Sequence, residues 1–270
     1  MTATDDTLRV LTLNVASPSV ARAEQQLAWL AHRDEHVYVL TEVSTGKGSE
    51  MLAAGLHQAG WDVRSRSWET GERGVLIAAR VRIERSAVTE PLVGFLPHRA
   101  VSAALPGGPE IIGAYVPSRD ESAAGIQRKH RFLASLADTL RARDPGRSAV
   151  LIGDLNILEP DHHPRYGSFQ DWEYAFYGDL VDSGWSDAYR LRHPEAMDHS
   201  WVGPYDDGYR FDHALVTADL AERVVRCDYV HETRTLGLSD HSAMTLAIEG
   251  VATELVDVAA CLSIGPASLF

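Results

Sequence analysis

The sequence predicts an α/β or α+β protein built around a sizeable central β core. Three observations carry this. Helical and strand-like segments are mixed along the whole chain, with no linker that would split it. Four of the strand-like segments, at 8–14, 37–42, 75–79 and 149–153, are largely apolar, as strands covered on both faces are. Several of them also stop at a polar residue: Asn14, Glu42 and Asp154.

The elements follow in order. Residues 8–14 form a buried strand ending in Asn14, and Val20, Leu27 and Leu30 place a helix over 20–31. A second buried strand covers 37–42, a short helix 49–59 and a strand 61–67. The turn Gly71-Glu-Arg-Gly74 precedes an apolar strand at 75–79, and strands follow at 100–105 and 111–116. Residues 122–143 make the longest helix, with Ile126, Phe132, Leu133, Leu136 and Leu140 on one stripe and Asp144-Pro-Gly146 ending it. A strand at 149–153, a Pro- and His-rich loop at 155–168 and a helix around 169–183 come next, with strands at 211–217, 226–231 and 243–249. Residues 1–250 are taken as one domain and 251–270 as a tail, either docked or frayed.

Charge and composition exclude several classes. Lys plus Arg is 25 and Asp plus Glu 38, so the net charge is −13. A protein that holds nucleic acid through its overall field is basic, so phosphate handling here has to be local, with a few Arg or Lys and a metal cation. No run of about 18 apolar residues exists, which argues against a membrane span, and no secretory signal is visible at the N-terminus. Cys227 and Cys261 cannot form a disulfide framework or a CxxC site, which fits a reducing compartment. A cytoplasmic monomer without a membrane partner is the expectation. The 12 His show no metal-ligand spacing and are expected to be mostly solvated or structural.

The polar strand ends carry the chemistry. Asn14, Glu42, Asp154 and Asn156 follow apolar strands; Asp212 lies in Arg210-Phe-Asp212; Asp240-His241 precedes the last strand. A single such residue is an ordinary turn former. Several converging on one edge of a β core make an oxygen-rich pocket suited to a hard cation such as Mg²⁺ or Mn²⁺.

Taken together, Leu13-Asn14-Val15, Glu42, Arg73-Gly74-Val75, Ala114-Tyr115-Val-Pro117, Gly153-Asp-Leu-Asn-Ile157, Trp185-Ser-Asp-Ala-Tyr-Arg190, Arg210-Phe-Asp212 and Ser239-Asp-His241 resemble the endonuclease/exonuclease/phosphatase superfamily of DNase I-like fold. Within it the chain is most similar to the exonuclease III and abasic-site endonuclease branch. The resemblance implies an α+β four-layer αββα sandwich with a Mg²⁺ site, Mn²⁺ being an alternative, at one edge of the two sheets. It implies Glu42 as main metal ligand with Asn14 and Asp240 nearby. Asp154, aided by Asn156, would orient and deprotonate the attacking water. His241, held by Asp212, would bond the phosphoryl oxygen, and Tyr115 would lie beside the phosphate or leaving group.

Substrate contacts are expected from Arg73, Arg119 and Arg210, while Lys129 sits in a polar run that suggests a solvated helix face. Trp201, Tyr209 and Phe211 are either a wall against a sugar or base, or ordinary sheet packing. The branch usually carries Asn where this chain has Ser118, a double Trp where it has only Trp201, and Glu-Gly-Arg where it has Pro97-His-Arg99. These departures fall at substrate-contact positions and weigh against a specific DNA-repair substrate, leaving the hydrolytic chemistry intact; the resemblance still implies DNA as partner, cut as a phosphodiester by an exonuclease or endonuclease. A small or lipid-linked phosphoester is the alternative, and a catalytically inactive binding module the third reading.

Overall fold

Side chains in a strand alternate between faces, and here both faces of the central strands are apolar. In a computed structural model describing residues 4–84, 92–256 and 258, strand β1 (Thr4–Asn14) sends Leu8 and Val10 one way and Leu11 and Leu13 the other. Strands β2 (Val37–Val43) and β4 (Gly74–Ala79) do the same, with Val37, Val39, Val75 and Ile77 on the first face and Tyr38, Leu40, Leu76 and Ala78 on the second. Such strands need cover on both sides, so the sheets stack and helices close the outside.

The first sheet is six-stranded, in the order β12-β13-β1-β2-β4-β3, where β3 is Asp62–Ser65, β12 Val224–Val230 and β13 Ala243–Glu254. The second is five-stranded, β5-β6-β7-β11-β8, where β5 is Ala100–Ala104, β6 Glu110–Tyr115, β7 Ala149–Asp154, β8 Trp185–Asp187 and β11 Asp212–Thr217. One buried cluster joins the facing sides of both sheets, with Val39 and Ile77 from one and Ile111, Val150 and Ile152 from the other.

Helices α1 (Val20–Leu30) and α2 (Lys47–Gln58) cover the outer face of the first sheet through Leu27, Leu30, Leu52 and Leu56. Helices α3 (Ala123–Ala142) and α4 (Asp171–Asp182) cover the second through Phe132, Leu133, Leu136, Phe176 and Leu180. The result is the αββα sandwich. Ser19 and Ser122 cap α1 and α3 by accepting from Arg22 N and Gly125 N, and Gln170 with Glu173 forms a capping box on α4.

Short elements escaped the sequence pattern. They are β8, helices α5 (Ala188–Arg192), α6 (Ala218–Ala221) and α7 (Glu232–Thr235), and a hairpin of β9 (Trp201–Val202) and β10 (Gly208–Tyr209). Two to five residues are too few for a periodicity to show. At the other end, β13 runs past 249 to Glu254, paired with Thr4, and Leu255 bridges to Val81. The stretch expected as a tail from 251 thus begins inside a strand; 257 and 259–270, with Cys261, lie outside the described residues. Among the described residues no helix is long and apolar enough to cross a membrane.

Candidate active site

Strand direction brings the polar ends together. β1 and β2 are parallel, as are β6 and β7, so Asn14, Glu42, Tyr115 and Asp154 all close strands at one end of the sandwich. β11 runs antiparallel to β7 with Asp212 opposite Asp154, and β13 antiparallel to β1, so Asp212 and the Asp240-His241 pair enter from that same end. Gly153 makes the approach possible: its φ is +146°, and a Cβ there would stand 2.1 Å from the Ala114 carbonyl oxygen on β6.

Asp154 and His241 are joined through their neighbours. The Asn14 amide nitrogen donates to Asp154 Oδ2 at 2.9 Å and lies 3.4 Å from His241 Nε2, while its oxygen accepts from the Ala16 backbone at 2.9 Å. Asp154 Oδ1 accepts the Asn156 N–H at 3.0 Å, and the Asn156 amide donates to Val116 O at 3.1 Å. His241 Nδ1 lies 2.7 Å from Asp212 Oδ2, and Asp212 is fully buried. Ser239 fixes this loop, its hydroxyl donating to Asn14 O at 2.5 Å and accepting the His241 N–H at 3.0 Å.

Electrostatics follow from the crowding. Burial holds the Asp154 carboxyl above the usual carboxylate range, opposed by His241 and reinforced by Asp212 and Glu42. For His241, burial alone would lower the imidazole; Asp212, Asp154 and Asp240 outweigh it and hold it above the ordinary value. The imidazolium, clamped by Asp212, is therefore the favoured form.

Glu42 belongs to a second bonded group. Tyr115 Oη donates to Glu42 Oε1 at 2.8 Å, and Arg73 Nε lies 3.5 Å from Oε2 and donates to Ser17 Oγ at 2.8 Å. Burial and the neighbouring carboxylates Glu42 and Asp154 keep the Tyr115 phenol protonated and its pKa raised. Asp240 is exposed and accepts from Trp201 Nε1 at 3.1 Å.

The donors Glu42, Asp240 and Asn14 are oxygen-bearing, and two are solvent-accessible carboxylates. Among the described residues no three His, Cys, Asp or Glu side chains form a closed metal-binding group. Oxygen donors with accessible carboxylates are the ligand chemistry a hard divalent cation takes, completed by water.

A cleft of about 390 Å³ opens over these groups, lined by Glu42, Asp154, Asn156, Asp240 and His241 at one end and by Phe169, Trp201, Tyr209 and Phe211 at the other. Tyr209 and Phe211 stack with centroids 5.0 Å apart, and Trp201 packs at 5.4 Å from Tyr209. These three aromatics pack on one another and also line the cleft.

Two expectations are corrected and one is modified. Arg210 is fully buried, 2.7 Å from Asp187 Oδ2 and 2.9 Å from Glu159 Oε2, so it holds carboxylates inside the protein and cannot reach a substrate. Lys129 is not on a solvated face: its Nζ is buried, donating to Glu173 Oε1 at 2.6 Å and to Asn156 O at 2.5 Å. Arg119 does line the cleft, but its side chain is 7% exposed and its guanidinium is paired with Glu173 at 2.5 Å. Reading the chain also missed Ser168, Phe169, Glu173, Asp120 and Glu121 on the cleft. Ser168-Phe169 lies in the unpatterned loop before α4, and the cap position of Glu173 was the one available signal.

This geometry can be set beside known proteins. Exodeoxyribonuclease III of Haemophilus influenzae is 31% identical over 156 residues, 49% of this chain; the match takes in 58% of that relative's length. Among solved structures, an AP endonuclease from Archaeoglobus fulgidus superposes with a TM-score of 0.75 at 25% identity, over 90% of this chain and 100% of that one. The 3′-5′ exonuclease NExo from Neisseria meningitidis gives 0.77 at 25% identity, over 90% and 100%. The 3′ phosphatase NExo from Neisseria, bound to its product DNA hairpin, gives 0.76 at 24% identity, over 90% and 99%, a likeness of fold. A family model matches residues 11–241, from within β1 to His241, and on that match the chain belongs to the endonuclease/exonuclease/phosphatase family.

Proposed function

We propose that the chain hydrolyses phosphodiester bonds in DNA, as a nuclease of the exonuclease III type, with a divalent cation, Mg²⁺ before Mn²⁺. The observation that carries this is the Asn14–Asp154 hydrogen bond beside the His241–Asp212 pair at the mouth of the aromatic cleft. The names of the relatives, an exodeoxyribonuclease, an AP endonuclease and a 3′-5′ exonuclease, support DNA as substrate.

In this reading Glu42 and Asp240, with Asn14, hold the cation, which when bound supplies positive charge to the phosphate oxygens. Asp154 takes the proton of the attacking water, and Asn156 and Asn14 fix the direction of its carboxylate. His241, oriented by Asp212, donates to a nonbridging phosphate oxygen as charge develops there. Tyr115 stands beside the leaving oxygen and keeps Glu42 in place. Arg73, 46% exposed beside Glu42, is the cation left to meet a neighbouring phosphate. The acidic residues Asp120 and Glu121 on the cleft favour a second reading, a small phosphoester without a long anionic backbone.

The test is incubation with linear and closed circular plasmid, an abasic duplex and a simple bis-phosphodiester, with Mg²⁺ and then with EDTA. DNA cleavage is expected, lost on chelation and lowered about 10²–10⁴-fold in Asp154→Asn. Turnover of the simple ester alone moves the assignment to the second reading. No metal-dependent turnover of any substrate refutes both.

A further inference from the structure

Arg99 ends a short 3-10 turn, Pro97–Arg99, and leads into β5. Ala100 on β5 pairs with Ala114 on β6 in antiparallel register, which sets Arg99 beside Tyr115 at the end of β6. The guanidinium carbon lies 4.5 Å from the centroid of the Tyr115 ring. The hydroxyl of that ring donates to Glu42 Oε1 at 2.8 Å.

The charge of Arg99 is otherwise poorly compensated. Its side chain is 7% exposed. Nη2 reaches Glu72 Oε2 only at 3.4 Å, and the same oxygen accepts from Arg128 Nη2 at 2.5 Å. Among the described residues, Nε and Nη1 find no hydrogen-bond partner. A buried cation short of hydrogen bonds is costly, and the face of an aromatic ring is the attraction left to it. The contact acts in both directions: it holds the guanidinium, and it resists any turn of the ring that would carry the phenol away from Glu42. Arg99 is not one of the described residues that line the cleft, so its place is behind Tyr115 and not against a substrate phosphate.

We propose that Arg99 is a positioning residue for the hydrolysis: stacked on the Tyr115 ring, it keeps the phenol aimed at Glu42 and at the leaving oxygen. The proposal rests on the DNA hydrolase reading. It gives a use to the Arg that the chain keeps where Pro97-His-Arg99 replaces the branch's Glu-Gly-Arg.

The experiment is a double-mutant cycle on cleavage of one linear duplex, with kcat taken per folded protein from circular dichroism. Arg99→Met keeps much of the volume and removes the charge; kcat is expected to fall about tenfold at near-constant KM. In a Tyr115→Phe background the same substitution is expected to change kcat by less than about twofold, because no phenol remains to misplace. Arg99→Lys, which keeps a cation over the ring, is expected to recover at least half of the loss on a logarithmic scale. A second readout needs neither metal nor turnover. In protein labelled with ¹³C-tyrosine, the Tyr115 Cζ resonance, assigned by its loss in Tyr115→Phe, is expected to move in Arg99→Met and to return toward its parent position in Arg99→Lys. An unchanged kcat or an unmoved resonance in Arg99→Met, an equal fall in both backgrounds, or no recovery in Arg99→Lys overturns the proposal. So does a raised KM with a salt slope lower by about one, the mark of a lost phosphate contact. If Arg99→Met does not fold, Arg99→Gln, also uncharged, is read in the same two backgrounds with the same outcomes. If the unaltered protein cuts no DNA, the DNA hydrolase reading fails, and the resonance alone decides whether Arg99 holds the ring.

Discussion

Glu42 and Asn156 sit at backbone φ values of +55° and +46°, a region that non-glycine residues rarely occupy. Each costs on the order of 1–3 kcal/mol, sustained only where surrounding contacts fix the conformation. Tyr115 and Arg73 hold Glu42; Val116 O and Lys129 hold Asn156 by its side-chain amide and its carbonyl. Asp212 matters as a single residue for a different reason. Its Oδ2 orients His241 and its charge favours the imidazolium. Asp212→Asn keeps the shape and removes the charge, so activity is expected to fall about 10²–10⁴-fold with little change in KM. Steady-state kinetics at fixed Mg²⁺ check this; near-normal kcat would remove His241 from the chemistry.

The short elements β8 and α5 are held by charge as well as by buried apolar side chains such as Trp185 and Tyr189. β8, α5 and the 155–170 loop meet at Arg210, where Glu159 accepts from Arg210 and Arg190, and Asp187 accepts from Arg210 and Tyr177 and caps α5. Burial opposes ionisation of Glu159, but Arg190 and Arg210 overcome it and hold the carboxyl down at about 2, against its usual 4.5. A depressed pKa stabilises the folded state fully above the unfolded value, and that contribution, roughly 3 kcal/mol, fades as pH falls from about 4.5 toward 2. Urea midpoints are therefore expected to fall between pH 5 and pH 3. Arg210→Met leaves Asp187 and Glu159 under-paired and is expected to cost about 3–5 kcal/mol at neutral pH. It is also expected to flatten that acid limb. A midpoint equal to that of the parent protein would show the cluster to be energetically idle.

At the scale of the molecule, the site exists because two sheets face each other at a set distance. Asn14, Glu42 and His241 belong to the first sheet and its loops; Tyr115, Asp154 and Asp212 to the second. Gly113 on β6 lies directly against the first sheet: a Cβ there would lie 2.7 Å from Val39 Cγ1 and 2.9 Å from Val75 Cγ1 across the gap. Gly113→Ala must push the sheets apart locally, costing about 1–3 kcal/mol. DNA cleavage well below the melting temperature is expected to fall by more than the unfolded fraction explains, since a small misplacement between the halves spoils the alignment. A melting-temperature shift with unchanged activity would mean that the site tolerates the spacing.

The sequence by itself determined the long elements and the chemical candidates. Continuous apolar runs such as 149–153 fix buried strands, the stripe through Phe132 and Leu136 fixes α3, and the polar strand ends single out Asn14, Glu42, Asp154 and His241. Side-chain type and local period carry that information. Tertiary structure alone decided what the cations do. From the sequence Arg119 and Arg210 were expected at the substrate and Lys129 on a solvated helix face, yet each is turned inward onto a carboxylate distant in sequence, Glu173 or Glu159. The physical reason is that a charge's role depends on the partners that compensate its desolvation, and those partners are brought near only when the layers pack.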